Sequence, residues 1–212
     1  MGALEFIVSE NPVFRAQRKP IENAILAYMA FGWRSLLGKL SGSRGNTPAV
    51  SFVLLESRFE PLPDDLLLDR AKSAYDSAKP SWVEVLADRT DASRVVRVEN
   101  FYFAFHQAQQ PYSRPPFEST EVIRQAWNSH VCWSSLDWAS PALEEKDKQG
   151  ARKIMLRLVE LLWSANTTGL FFPDRGLTIP NMGTLGESIR WARRNGVPVH
   201  ELFPPVTSPK TS

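Results

Sequence analysis

With 212 residues, 43% hydrophobic and 23% charged, the chain has an ordinary globular composition and enough apolar material for one sizeable core. Its 25 Lys and Arg against 23 Asp and Glu leave a formal charge of +2, which gives no reason in composition to expect nucleic acid as a partner. A single Cys allows no intramolecular disulfide and no Cys-rich zinc motif, in keeping with a reducing, cytoplasmic setting, and His106, His130 and His200 stand at no metal-ligand spacing.

Residues 1–19 show no periodicity and end in the basic cluster Arg15, Arg18 and Lys19, so they read as a leader. From Ile21 to Leu40 the apolar residues recur at helical spacing, with Pro20 suited to open the helix. Arg34 and Lys39 interrupt a secretory signal there, and Glu22 with the same two residues breaks a membrane span, which needs about 20 mostly uncharged residues. An amphipathic helix remains, expected to pack on its own domain; a protein partner or a membrane surface is the other place for its apolar face. The Gly and Ser residues of Ser41 to Asn46 make the best linker, which divides a 1–46 leader, helix and linker from a globular domain over 47–203 and a disordered Pro- and Ser-rich tail over 204–212.

Val50 to Leu55 reads as a buried strand. After Pro61 and Pro63, Asp64 and Asp65 suit the positive end of a helix whose inner face is Leu67, Ala71, Ala74, Tyr75 and Ala78, with Pro80 as its stop. Trp82 to Ala87 is a short strand. Between Arg94 and His106 the apolar phase changes, from Val96 and Val98 to Phe101, Phe103 and Phe105. A straight strand cannot do that, so the spacing predicts a hairpin turning at Glu99-Asn100, with Asn100 at positive φ. Gln107 to Pro116 reads as non-helical, and Ser119 as the cap of a helix that turns Val122, Ile123, Ala126 and Trp127 inward.

His130 to Trp138 has the β-branched and aromatic content of a strand, with Val131 and Trp133 on one face and Cys132, Leu136 and Trp138 on the other; apolar groups on both faces predict a central strand. Ser140 and Pro141 suit the start of a long helix whose stripe is Ala151, Ile154, Met155, Leu158, Val159 and Leu162, closed by Asn166 and Gly169. Thr168 to Phe172 and Leu177 to Ile179 follow as strands. Thr184 and Glu187 form a capping-box pattern for a last helix that stops at Asn195-Gly196. The expected fold is α+β, one mixed or mainly antiparallel sheet of about five or six strands with helices mostly on one face.

The chemistry-bearing candidates are few. His130 and Cys132 share a parity and pair as base and thiol, but same-face neighbours lie roughly 6.5 to 7 Å apart along a strand, too far for activation, and Asp137 has the opposite parity. A buried small Cys and a hydrogen-bonded His at a strand edge are the ordinary reading. Asn181, Gly183 and Thr184 open the last helix, where free amides bind anions, yet Glu187 is placed to occupy those amides itself. No nucleotide, metal or hydrolase motif occurs, so no cofactor is expected. These readings favour a non-enzymatic binding or interaction module, with a protein partner or a second copy as its expected company. The alternative is a small hydrolase or transferase with His106, His130 and Cys132 in one pocket.

The order of SFVLLES, VVRVENFYFAF, QPYSRPP, AWNSHVCWSSLDW, the long helix and TTGLFFP resembles a bacterial family, the domain-of-unknown-function family four-two-six-one. The resemblance covers about Val50 to Pro180 and rests on the strand pattern, Pro115-Pro116, Ala126-Trp127 and His130. It implies an α+β domain and supplies no site residues.

Overall fold

Alternating apolar residues and short turns build most of this chain into strands. The structure, a computed structural model, describes residues 51–75, 83–87, 93–113, 120–139 and 145–197, with only the backbone for 86–87 and 145–149. The expected leader, first helix, linker and tail, and the caps at Ser119, Ser140 and Pro141, lie outside the described residues.

Seven strands, β1 (Ser51–Glu56), β2 (Val83–Ala87), β3 (Ser93–Val98), β4 (Phe101–Ala108), β5 (Cys132–Trp138), β6 (Thr167–Phe172) and β7 (Leu177–Pro180), form one sheet in the order β2-β3-β4-β5-β1-β6-β7. Every neighbouring pair is antiparallel, so the sheet is wholly antiparallel rather than mixed. β5 is the middle strand, as its two apolar faces require. The strand begins at Cys132, and His130 instead terminates the preceding helix.

Four described helices cover the sheet: α1 (Asp64–Ala74), α2 (Glu121–Ser129), α3 (Glu145–Leu162) and α4 (Leu185–Arg194). On the first face, Phe52, Leu54, Val96, Phe103, Phe105, Leu136, Leu170 and Phe172 meet α1, α3 and α4 in the main core. All six predicted stripe residues of α3 are buried there, because their three-then-four spacing keeps them on one side of 18 residues. On the second face, α2 lays Trp127 and Ile123 against Val53, Leu55, Trp133 and Phe171, and the Trp127 indole donates to the Thr178 hydroxyl at 3.0 Å. No described helix is long and apolar enough to cross a membrane.

Local detail departs from expectation where neighbouring residues have similar chemistry. The hairpin turns at Glu99-Asn100, but the positive φ (54°) belongs to Glu99, whose carbonyl accepts from Arg97 Nε at 2.9 Å. Thr120 is the cap of α2, its hydroxyl accepting from the Ile123 amide at 3.4 Å, and Val122 is exposed. Gly169 lies inside β6 and does not close α3: an added Cβ would come within 3.1 Å of the Ile179 carbonyl and 3.4 Å of Ala126 Cβ, so the small residue lets α2 and β7 approach the strand. At the end of α4, Asn195 is the C-cap and Gly196 takes the left-handed conformation, φ 71°, as expected.

Candidate functional site

Strand parity sorts the polar residues of the sheet into two groups on opposite faces. On the first face, at one end of β1, β4 and β5, Ser134 donates to the Glu56 carboxylate at 2.7 Å. The Gln107 side chain accepts from the Leu62 amide at 2.9 Å and donates to the Glu60 carbonyl at 3.2 Å, which ties the connection between β1 and α1 to the sheet. Arg94, which reaches Gln107 Oε1 at 3.3 Å, also pairs with Asp64 at 2.6 Å. Burial raises the Glu56 carboxyl, and the Ser134 hydrogen bond opposes that rise. This network uses its members on one another, which is the pattern of a structural anchor.

Cys132 belongs to the same end. It is buried, its thiol donates to the Glu56 carbonyl at 3.4 Å, and burial, with the Glu56 charge, pushes it up to about 11. Iodoacetamide at pH 7.5 should therefore leave Cys132 unmodified in the folded protein and modify it rapidly in 6 M guanidinium. Labelling of the native chain at a free-cysteine rate would contradict this placement.

His130 is engaged through both ring nitrogens. Nε2 accepts from the Tyr112 amide at 3.0 Å, so the proton sits on Nδ1, which donates to the Trp127 carbonyl at 2.5 Å. The ring stands edge-on to Trp127 and holds the end of α2 to the 108–112 segment. His106 pairs in register with Ser135, on the second face. His106 and Cys132 thus project from opposite sides of the sheet, and the three residues of the expected pocket are not brought together.

The start of α4 is likewise filled from within. The Thr184 hydroxyl accepts from the Glu187 amide at 3.2 Å while the Glu187 carboxylate accepts from the Thr184 amide at 3.2 Å, a complete capping box. The Gly183 amide donates to Asn181 Oδ1 at 2.8 Å, and the Met182 amide to Ser188 Oγ at 2.9 Å. The Met182, Gly183, Thr184 and Glu187 amides thus already have acceptors within the turn. Thr184→Ala should cost about 1 kcal/mol of folding stability by denaturant titration, with neutral behaviour counting against the cap.

On the second face the register sets residues in rows across the sheet. One row reads Ser93, His106, Ser135, Val53, Phe171 and Thr178 from β3 to β7. The next reads Val95, Ala104, Asp137 and Ser51, and on the other side lie Ala108, Trp133 and Leu55. The apolar part of these rows, over β1, β6 and β7, receives α2. The polar part lies over β3, β4, β5 and the first residue of β1, and carries Ser93, His106, Ser135, Asp137 and Ser51.

Asp137 is the centre of that part. It is 6% exposed, the Ser51 hydroxyl donates to its Oδ1, and the Ser135 hydroxyl donates to its Oδ2 at 3.1 Å. Burial pushes its carboxyl up to about 6, against the two seryl hydrogen bonds, which lower it. Tyr112 stands within electrostatic reach: burial first, and the Asp137 charge second, push its phenol up to about 12. The Tyr112 ring meets Trp133 edge to face at 5.2 Å between centroids, and the His106 ring lies 5.2 Å from the same indole. Ser93 Oγ is 2.7 Å from His106 Nδ1.

No family model, curated protein or solved structure matches the chain. The site therefore rests on its own geometry. In the sequence Asp137 offers itself only as a partner for His130, with which it shares no face, and nothing local marks Ser51, Ser93 or Ser135. The available signal was the hairpin phase, which puts His106 on the alternate of Phe103 and Phe105; the pairing of β4 with β5 that sets His106 against Ser135 is long-range. Among the described residues no group of three or more His, Cys, Asp and Glu could hold a metal ion.

Proposed function

We propose that the chain is a non-enzymatic binding module of the cytoplasm and that its site is the polar part of the second sheet face. One observation carries this reading: a carboxylate buried on the middle strand of the sheet, held by two seryl hydroxyls and, among the described residues, unaccompanied by a cationic side chain. Fold stability alone does not ask for such a group, because an apolar residue at that position would bury without a desolvation cost. Perturbed titratable groups of this kind cluster at functional sites. His106 lies across from Ser135, one position along the same face, and Tyr112 is within electrostatic reach of the carboxylate, so further polar groups stand close to it. The likeness to the family named above is part of the same proposal and adds a fold class without a role for any residue.

A fragment screen read by amide and indole NMR tests the site. Shifts produced by bound fragments are expected to cluster on Trp133, Ser135, Asp137 and His106. Clustering on another face, or the absence of saturable shifts across a diverse library, would contradict the reading.

A further inference from the structure

The two edges of the sheet differ in what they offer a further strand. At β7 the Asn181 amide donates to the Thr168 carbonyl at 2.9 Å, so by antiparallel alternation Leu177 and Ile179 bond to β6 while Thr178 and Pro180 face outward. Pro180 has no N–H to give, and α2 and α4 both pack against this strand. β7 is thus a blunted edge.

β2 is the other edge, and among the described residues nothing pairs with its outer side. The Ala139 amide donates to the Tyr102 carbonyl at 2.8 Å, and the registers from β4 through β3 to β2 run without a bulge. The same alternation, carried across them, turns the backbone of Glu84 and Leu86 toward β3 and leaves the N–H and C=O groups of Val83, Val85 and Ala87 directed outward. These residues are placed evenly about Val85. Val83–Ala87 contains no Lys, no Pro and no bulge, the devices that keep an edge strand single. Its one charge, Glu84, is held by Arg97 of β3 at 3.2 Å. Val83 and Val85 are only partly buried against the main core, at the side of the sheet where α1 packs on β2.

We propose that β2 pairs with β2 of a second copy of this chain, antiparallel about a two-fold axis at Val85, so that the two sheets become one. Val85 then meets Val85, Val83 meets Ala87 and Glu84 meets Leu86, so that outward donors face outward acceptors and no like charges stand opposite. The axis closes the assembly. With Pro180 outward, β7 is a poor receiver for β2 of another copy, so a dimer forms and not a filament. A strand of 5 residues makes a short contact, so association is reversible and follows protein concentration.

Sedimentation equilibrium of the full chain over the micromolar range tests the proposal, with amide hydrogen exchange on the same samples. The mass is expected to rise with concentration from 23.9 kDa to twice that value. Exchange at Val83, Val85 and Ala87 should slow as the dimer fills, while Glu84 and Leu86, bonded to β3 in both states, should not change. Val85→Pro removes the donors at the axis without touching the bonds to β3, and it should weaken dimerisation by roughly tenfold or more. A single-chain mass throughout the range overturns the proposal. So does a dimer in which the three outward amides exchange at an unchanged rate, or one that V85P leaves equally strong while keeping the wild-type urea midpoint. Should V85P fail to fold, the exchange pattern of the wild type decides alone.

Discussion

Phe103→Ala is expected to destabilise the fold by about 3 to 5 kcal/mol, the cost of emptying a fully buried aromatic position in a core that relaxes only partly. Phe103 sits on β4 between Val96 of β3 and Trp138 of β5, and its ring lies 6.5 Å from that of Phe101. It is wholly shielded from water, so deletion removes contacts with the middle of the sheet and with the helical layer above it. Urea unfolding with an unchanged m-value and a lowered midpoint is the expected signature. A loss under about 1 kcal/mol would place Phe103 outside the core.

Asp137→Asn carries the second large effect, and it appears in the pH dependence. A carboxyl raised from 3.8 to about 6 on folding binds its proton more tightly in the native chain. The native state therefore keeps a proton over that window which the unfolded state has released. Stability is greatest below about pH 4, falls as pH rises toward 6, and stays reduced above it; the span is roughly 3 kcal/mol from this residue. The amide has no such titration. Between pH 4 and 7 the wild type should thus lose roughly 2 to 2.5 kcal/mol more than D137N, as measured by urea titration at each pH, since the remaining carboxylates are common to both and part of the span lies below pH 4. Parallel curves would mean that Asp137 is no harder to ionise in the fold than in the open chain.

What the residues announced and what they concealed follow one physical line. The face of α3 was legible because six apolar residues at helical spacing have one arrangement that buries them together. The capping box of α4 was legible for the same local reason, with Thr184 and Glu187 three residues apart. The hairpin could be seen in the phase change of its apolar residues, though not which turn residue takes positive φ, since Asn100 has the better intrinsic tolerance and Glu99 takes the strain. Thr120 and Ser119 offer equivalent hydroxyls one position apart, and sequence alone does not choose between them.

The site was hidden because it is made by pairing between distant segments. Ser51 and Asp137 are 86 residues apart, and their meeting depends on β1 lying beside β5, not on any local pattern. Cys132 drew attention as the lone thiol, and His130 as its nearby base, but one is sealed in a structural network and the other links α2 to the 108–112 segment. Strand parity separates His106 from Cys132. The residue with the more unusual environment, Asp137, has an ordinary sequence context between Leu136 and Trp138.

The most direct test is a carbon-13 NMR titration of the Asp137 side-chain carboxyl in the free protein, assigned by comparison with D137N. A midpoint near 6 is predicted, displaced further upward in Ser51→Ala as one stabilising hydrogen bond is lost. A midpoint at or below the ordinary 3.8 would show a carboxylate that is solvated or already paired with a positive charge, and would remove the basis of the binding site.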